Sequence, residues 1–97
     1  MTFKIPDKIT VNGMEIPTIY DPHLLVDSEH QGEYHSRLVT ITLDKTLSEQ
    51  KQKYDYIHEL HEVAKDLYGL DLSQQDIWAL TAFWYQIIEK GQLKEKN

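Results

Sequence analysis

A chain of 97 residues can bury one hydrophobic core, which excludes multidomain machinery. Apolar residues account for 40% and charged residues for 27%, values typical of globular proteins, so wholesale disorder is excluded as well. Sixteen acidic residues against ten Lys and Arg give a net charge of −6, which disfavours binding to a nucleic-acid backbone. The chain contains no cysteine and no apolar run of membrane-spanning length. We therefore expect no disulfide, no thiolate metal site, no membrane contact and no signal peptide, and hence a cytoplasmic protein.

The first predicted element is a β-hairpin between residues 8 and 20. Asn12-Gly13 tolerates positive φ angles at two successive positions, as a type I′ turn requires, and apolar residues alternate on both sides of it. Pro17 cannot donate a hydrogen bond to a neighbouring strand, so we expect the second strand to lie at a sheet edge. Residues 21–35 are mostly polar and predict a loop with at most one short element. Loop polarity explains its three histidines, His23, His30 and His35.

A β-branched run over residues 36–43 predicts a further strand, and its period of two places Val39 and Ile41 on one face. The pattern then becomes helical, so three strands are followed by two helices. This order predicts a single α+β domain over residues 1–97. We expect a small antiparallel sheet, formed by the hairpin and one or two further strands, to pack against two C-terminal helices.

The two helices are predicted at about residues 47–68 and 74–90, with a frayed tail over 92–97. Thr46 and Glu49 have the spacing of a capping box, Gly69 supplies a positive-φ stop, and Ser73 and Asp76 repeat the capping box for the second helix. The helical period predicts that the first helix faces the core with Ile57, Leu60, Val63, Ala64, Leu67 and Tyr68. It predicts that the second does so with Ile77, Leu80, Trp84, Ile87 and Ile88.

The residues with the clearest chemical potential are His58-Glu59-Leu60-His61-Glu62, within the first helix. Positions 58 and 62 lie one helical turn apart, so an imidazole and a carboxylate there could hold one divalent ion. A zinc hydrolase needs three protein ligands, an open position for water and a carboxylate that takes the proton of that water. The pattern supplies part of this set.

At this point the chain resembles the small phage and prophage zincin-like metallopeptidases of the ImmA/IrrE group. The resembling segments are the strand 39–43, Tyr56-Ile57-His58-Glu59-Leu60, the link 68–73 and the helix 77–88. Together with the hairpin, the resemblance covers about residues 8–90. The resemblance implies a zincin-like fold in the cytoplasm of a bacterial host. It also implies that His58 is a zinc ligand and that Glu59 is the general base.

Three ligand features of that family are changed in this sequence. Position 62 holds Glu62 where the family has a second histidine, and His61 comes one residue too early to replace it. The family's third, acidic ligand is expected near Trp78, and the closest acid is Asp76, two residues earlier. A two-residue shift turns a side chain about 200° around a helix. The remaining metal set would be His58, Glu62 and Asp76, with zinc as its ion, but we expect no resident cofactor and less than about one zinc per chain.

Each of these residues also has an ordinary structural interpretation. The charged residues 58–62 could form a solvated stripe on the helix surface. The position of His61 beside Ile57 favours a hydrogen-bonded, partly buried histidine, and Asp76 is accounted for by its capping box. Trp78 and Tyr85 lie seven residues apart on one flank of the second helix. They could anchor a partner, or they could pack against the sheet or the other helix.

Three functions are consistent with the sequence. The first, which we favour, is a catalytically impaired or inactive zincin-like phage or prophage protein that acts by binding a protein partner. The second is a minimal zinc-dependent peptidase that uses His58 and Glu62 as ligands and Glu59 as base. The third is an acidic decoy of a nucleic-acid-binding host protein, which would need carboxylates gathered on one continuous face. None of them requires direct nucleic-acid binding, and the sequence does not specify an oligomeric state.

Overall fold

In a computed structural model of the chain, the described residues are 3–24, 32–36 and 39–93. They form an α+β fold, as predicted, in which a four-stranded sheet packs with two helices. The strands are β1 (Lys8–Val11), β2 (Met14–Asp21), β3 (Gly32–His35) and β4 (Thr40–Asp44), and the helices are α1 (Glu49–Tyr68) and α2 (Gln74–Glu89). No helix in these ranges is long and apolar enough to cross a membrane.

The sheet has the strand order β1-β2-β4-β3. Its two outer pairs are antiparallel, but β2 and β4 in the centre run parallel. The expectation of a wholly antiparallel sheet is therefore wrong, because the connection between β2 and β4 contains β3 and returns the chain in the same direction. The placement of Pro17 at an edge is also wrong, since β2 is an interior strand. Pairing of β2 with β4 begins at Thr18, so the missing N–H of Pro17 precedes that ladder.

The hairpin turn has the predicted conformation, with Asn12 at φ 51° and Gly13 at φ 77°. The strand predicted over 36–43 is shorter and begins at Thr40, because Val39 has a left-handed φ of 53° that extended backbone does not allow. Arg37 and Leu38 lie outside the described residues, as do His30 and the predicted tail from 94 onwards.

The central hydrophobic core lies between the sheet and α1. Ile41 and Leu43 of β4 are fully buried and pack with Ile16, Tyr56 and Val63. α1 begins two residues later than predicted: the Ser48 hydroxyl, not that of Thr46, accepts from the Lys51 backbone N–H. Thr46 instead donates its N–H to Asp44. Gly69 ends α1 at φ 63°, as predicted.

The helix faces are covered differently from the prediction. On α1, Ile57 and Val63 are buried and Leu60 and Leu67 are partly buried, but Tyr68 is 58% exposed, so its assignment to the core is wrong. On α2 only Ile77 and Thr81 are buried. Trp84, also predicted in the core, is 38% exposed. The reason is that α2 packs mainly against α1 and not against the sheet, so it has less surface to pack on.

Candidate functional site

A cleft of about 730 Å³ opens between β3, α1 and the link to α2. Its walls carry four carboxyl groups, one lysine and one buried histidine. Its lining side chains include those of Glu33, Tyr34, His58, Glu59, Glu62, Lys65, Asp66 and Gln74, and Gly32 and Gly69 line it with their backbone. The cleft is thus built around the sequence pattern that the helix was expected to present.

The structure brings His58, Glu59 and Glu62 together at this cleft. Nε2 of His58 lies 3.8 Å from Oε2 of Glu62 and 4.0 Å from Oε2 of Glu59. The first distance follows from the one-turn spacing on α1. The second joins neighbouring residues whose side chains both line the cleft. These separations are longer than a hydrogen bond.

His58 and Glu59 are buried, with only 7% and 6% of their surfaces exposed. The interpretation of residues 58–62 as a solvated surface stripe is therefore wrong for these two positions. Two elements that no local pattern specifies cover them: β3 on one side and Trp78 of α2 on the other. Glu62 stays accessible, with a side chain that is 25% exposed.

Gly32 is what allows β3 to lie so close to α1. A Cβ atom at this position would stand 3.2 Å from Cδ2 of Leu43, 3.5 Å from Cβ of Asp55 and 3.6 Å from Cγ of Glu59. The backbone of β3 at Gly32 therefore packs directly against the side chains of Asp55 and Glu59 on α1. In the sequence, Gly32 lies in the stretch predicted as a loop. A glycine within a strand often marks a place where another chain segment packs closely against it, and this was the local signal of the contact.

Burial raises the pKa of Glu59 from 4.5 to about 8, and the carboxylates of Glu62 and Asp55 act in the same direction. A hydrogen bond from the backbone of Tyr34 opposes the shift without cancelling it. Glu59 is therefore mostly protonated at neutral pH. Burial lowers the pKa of His58, against the opposing effect of Glu62 and Asp55, so the imidazole is neutral at pH 7.

Trp78 lies directly against His58. The two ring centroids are 4.0 Å apart, and the ring planes are inclined by 33°. Trp78 also stacks on Tyr54 at 5.8 Å, and Tyr85 meets Tyr54 edge-on at 5.2 Å. We call Tyr54, Trp78 and Tyr85 the aromatic cluster. Trp78 and Tyr85 pack against α1 through Tyr54, as one interpretation of this flank predicted. Trp78 also keeps 43% of its surface exposed, so it remains available to a partner.

Two predicted or considered ligands lie elsewhere. Asp76 closes the capping box of α2: its Oδ2 accepts from the Ser73 N–H, and its own N–H donates to the Ser73 hydroxyl. It is not among the residues that line the cleft, so the structure does not join it to His58 and Glu62. His61 has Nδ1 2.8 Å from the carbonyl oxygen of Ile57, which confirms the hydrogen-bonded reading of this histidine.

The donor set does not fit a catalytic zinc site. His58 and Glu62 supply one nitrogen and one carboxylate, and Oε2 of Glu62 already accepts from Nε2 of Gln74 at 3.1 Å. A histidine that binds zinc normally donates its second ring N–H to an acceptor, whereas Nδ1 of His58 is buried with no partner among the described residues. On the side of His58 that meets α2, the neighbouring group is the indole of Trp78, which is not a metal ligand. Within residues 3–24, 32–36 and 39–93, no group of three or more His, Asp or Glu side chains could hold a metal ion.

Several cleft residues could not be identified from the sequence. The Tyr34 hydroxyl donates to Oδ2 of Asp66 at 2.9 Å and ties β3 to α1 across the cleft. Burial and this hydrogen bond raise the pKa of Tyr34 to about 12. Gln74 reaches Glu62 only because the Gly69 turn brings α2 back alongside α1. These contacts join residues 12 and 32 positions apart, so no local spacing could reveal them.

No protein-family model matches the sequence, and neither a curated protein nor a solved structure is significantly similar to it. The interpretation of the cleft therefore depends on its own geometry.

Proposed function

We propose that this chain is a non-catalytic protein of zincin-like descent that acts by binding a protein partner. The observation that carries the proposal is the contact between His58 and Trp78, whose ring centroids are 4.0 Å apart. An indole at this point cannot serve as a metal ligand, whereas it is well suited to protein contacts. The phage or prophage origin and the bacterial cytoplasm belong to the same proposal and rest on the resemblance described above.

The cleft and the aromatic cluster form the proposed binding surface. The cleft is open to solvent and contains more acidic than basic side chains, with Glu62 and Asp66 accessible beside Lys65. Beyond His58, the exposed part of Trp78 offers an apolar anchor. A partner segment that places a Lys or Arg side chain near Glu62 and an apolar side chain on Trp78 would match this surface in charge and in shape.

The binding proposal can be tested by selecting a displayed library of random peptides on the immobilised wild-type chain. We expect the selected peptides to be enriched in Lys and Arg. Their affinity should fall about 5- to 10-fold in Glu62→Gln, because one charge-assisted contact is lost. Glu15→Gln is the matched control, since Glu15 is an exposed carboxylate that pairs with Lys8 on the hairpin. Absence of enrichment, or equal losses in both variants, would count against the proposal.

The minimal zinc peptidase is the second candidate, favoured by the 3.8 Å separation of His58 Nε2 and Glu62 Oε2 beside Glu59. Its test is elemental analysis after dialysis against a micromolar zinc buffer, together with an assay of casein cleavage. One zinc per chain that disappears in His58→Ala, accompanied by cleavage that also disappears in Glu59→Gln, would replace the binding proposal with this one.

The acidic decoy is less well supported. Its carboxylates would need to form one continuous face, but acidic residues occur on the hairpin at Glu15, at the beginning of α1 at Glu49, in the cleft at Glu62 and at the beginning of α2 at Asp76. Asp55 is buried. A partner that recognises this chain in place of nucleic acid would show affinity that falls steeply with salt, which a titration from 50 to about 300 mM NaCl would measure.

A further inference from the structure

α2 is apolar on nearly all sides, yet most of it is exposed. Residues 77–88 include no Asp, Glu, Lys or Arg in a chain that is 27% charged. Only Ile77 and Thr81 of the sixteen helical residues are buried. Phe83 is 50% exposed, and its ring meets Trp84 edge-on at 5.4 Å. A helix with this composition is normally covered on more than one side. Among the residues that the structure describes, α2 has a face that no other element covers.

The more exposed side of α2 has a regular pattern, in which Asp76, Phe83 and Lys90 are exposed and Leu80 and Ile87 are partly buried. Asp76, Leu80, Phe83, Ile87 and Lys90 follow one another at spacings of four, three, four and three residues, and we call them the outer stripe. This is the spacing of a helix that packs against another helix along a single seam. Glu89, which directly follows residues 77–88, does not belong to this stripe: its Oε1 lies 3.8 Å from Nζ of Lys53 on α1.

The two ends of the outer stripe carry opposite charges at equal distances from its centre. Asp76 and Lys90 each lie seven residues from Phe83, and Leu80 and Ile87 lie three and four residues from it. An antiparallel copy of the same helix would therefore set Asp76 beside Lys90, Leu80 beside Ile87 and Phe83 near the symmetry axis. A parallel copy would set Asp76 against Asp76 and Lys90 against Lys90, which like charges disfavour.

We infer that a second copy of this chain covers the outer stripe, in an antiparallel, two-fold symmetric pair of α2 helices centred near Phe83. The pairing also aligns the helix dipoles in opposite directions, which is favourable. Trp78 lies about 140° around the helix from Phe83, so the cleft and the aromatic cluster remain open in the dimer. The inference does not depend on the proposed function, because the two surfaces are separate.

The mass of the full chain in solution tests the dimer. Sedimentation equilibrium between about 1 and 100 µM should give twice the 11.4 kDa mass of one chain at the upper concentrations. Phe83→Glu should weaken association at least about 30-fold, as is typical of a central aromatic contact. Ile19→Glu is the matched control, because Ile19 is an apolar residue that is 46% exposed on β2 and does not belong to the outer stripe. This variant should remain dimeric. A wild-type monomer at 100 µM, or a Phe83→Glu variant that associates like wild type, would overturn the inference.

A second measurement tests the antiparallel orientation of the two α2 helices. It retains Phe83, so its result does not depend on whether the Phe83→Glu variant folds. The chain has no cysteine, so Gln75→Cys provides one attachment point for a spin label at an exposed position of α2. In the antiparallel pair the two labelled positions are about 25 Å apart along the helices, since each residue adds about 1.5 Å. In a parallel pair they would be separated only by the interaxial distance of about 10 Å. A distance in the shorter range, or no dipolar coupling between labels, would overturn the antiparallel pair.

Charge reversal provides a third measurement. Lys90→Glu would replace two attractive contacts with Asp76 by two repulsive ones in the antiparallel pair, so the dissociation constant should rise about tenfold at low salt and recover at high salt. In a parallel pair the variant would exchange one like-charge contact for another. An unchanged dissociation constant would therefore contradict the proposed orientation.

Discussion

The imidazole of His58 and the indole of Trp78 lie against each other at the junction of the two helices, with their centroids 4.0 Å apart and their planes tilted by 33°. This contact covers the side of His58 that meets α2. It also shields His58 from solvent and lowers its pKa through burial. One aromatic side chain thus converts a helix pattern suited to metal binding into a packed pair of rings beside an open cleft.

If Trp78 takes the place of a ligand, restoring donors at two positions should restore zinc binding. We expect Glu62→His combined with Trp78→Glu to bind about one zinc per chain with submicromolar affinity, because α1 would then offer two imidazoles and α2 a carboxylate. Isothermal titration with ZnCl₂ would measure this. The matched control is Glu62→His combined with Gln75→Glu, which adds the same groups but places the carboxylate on the exposed side of α2. Equal zinc affinity in both double variants would show that Trp78 does not occupy a ligand position.

The buried carboxyl of Glu59 predicts an unusual pH dependence of stability. Its pKa is about 8 in the folded chain against 4.5 ordinarily, so the folded state binds the proton more tightly than the unfolded state between these values. Stability from this group is therefore greatest at low pH and decreases as pH rises, by about 1.4 kcal/mol per pH unit between roughly pH 5 and 8. Glu59→Gln should remove this decrease and should be more stable than wild type at pH 8.

Urea unfolding of both proteins at pH 5, 6, 7 and 8 would measure that difference. The lowered pKa of His58 has the opposite effect, since it costs stability as pH falls below about 6.5. Both proteins contain His58, so subtracting one stability curve from the other leaves the contribution of Glu59. Parallel curves for wild type and Glu59→Gln would contradict the buried, protonated state of Glu59.

The tight packing of Gly32 against its neighbours in β4 and α1 predicts that Gly32→Ala is destabilising. The new methyl group would stand 3.2 Å from Cδ2 of Leu43, and displacement of the strand should cost about 1–3 kcal/mol. Leu43→Val removes the atoms that cause the conflict. We therefore expect the double variant to be more stable than the sum of the two single losses predicts. Chemical denaturation of the four proteins completes the cycle, and strict additivity would argue that β3 does not press on Leu43.

The end of α1 provides a prediction about backbone conformation alone. Gly69 has φ 63°, and an added Cβ would meet nothing within 4 Å, so no steric conflict with neighbours is involved. Gly69→Ala should still lower stability by about 1 kcal/mol because alanine disfavours left-handed backbone. Gly69→Asn, which tolerates this conformation better, should lose less. Thermal unfolding would rank the three proteins, and an unchanged melting temperature in Gly69→Ala would contradict the observed φ.

Local features of this chain were predictable from short stretches of sequence. The Asn12-Gly13 turn, the stop at Gly69 and the Ser73–Asp76 capping box each depend on the conformation or hydrogen bonds of residues within one turn of each other. The one-turn spacing that brings His58 near Glu62 is local in the same sense. The strand and helix patterns together also indicated the α+β class.

The remaining features were decided by which elements pack together. A helical period shows which residues share a face, but not whether another element covers that face. β3 and Trp78 bury His58 and Glu59 despite their polarity, whereas α2 leaves Phe83 and Trp84 exposed although both are apolar. The parallel pairing of β2 with β4, and with it the position of β3 over the cleft, likewise depends on contacts between distant parts of the chain. The sequence alone therefore determined the helices, the turn and the spacing of the candidate residues. Only the tertiary structure decided their burial, their charge states and the partner that each side chain meets, because desolvation and contact depend on atoms that are far away in sequence.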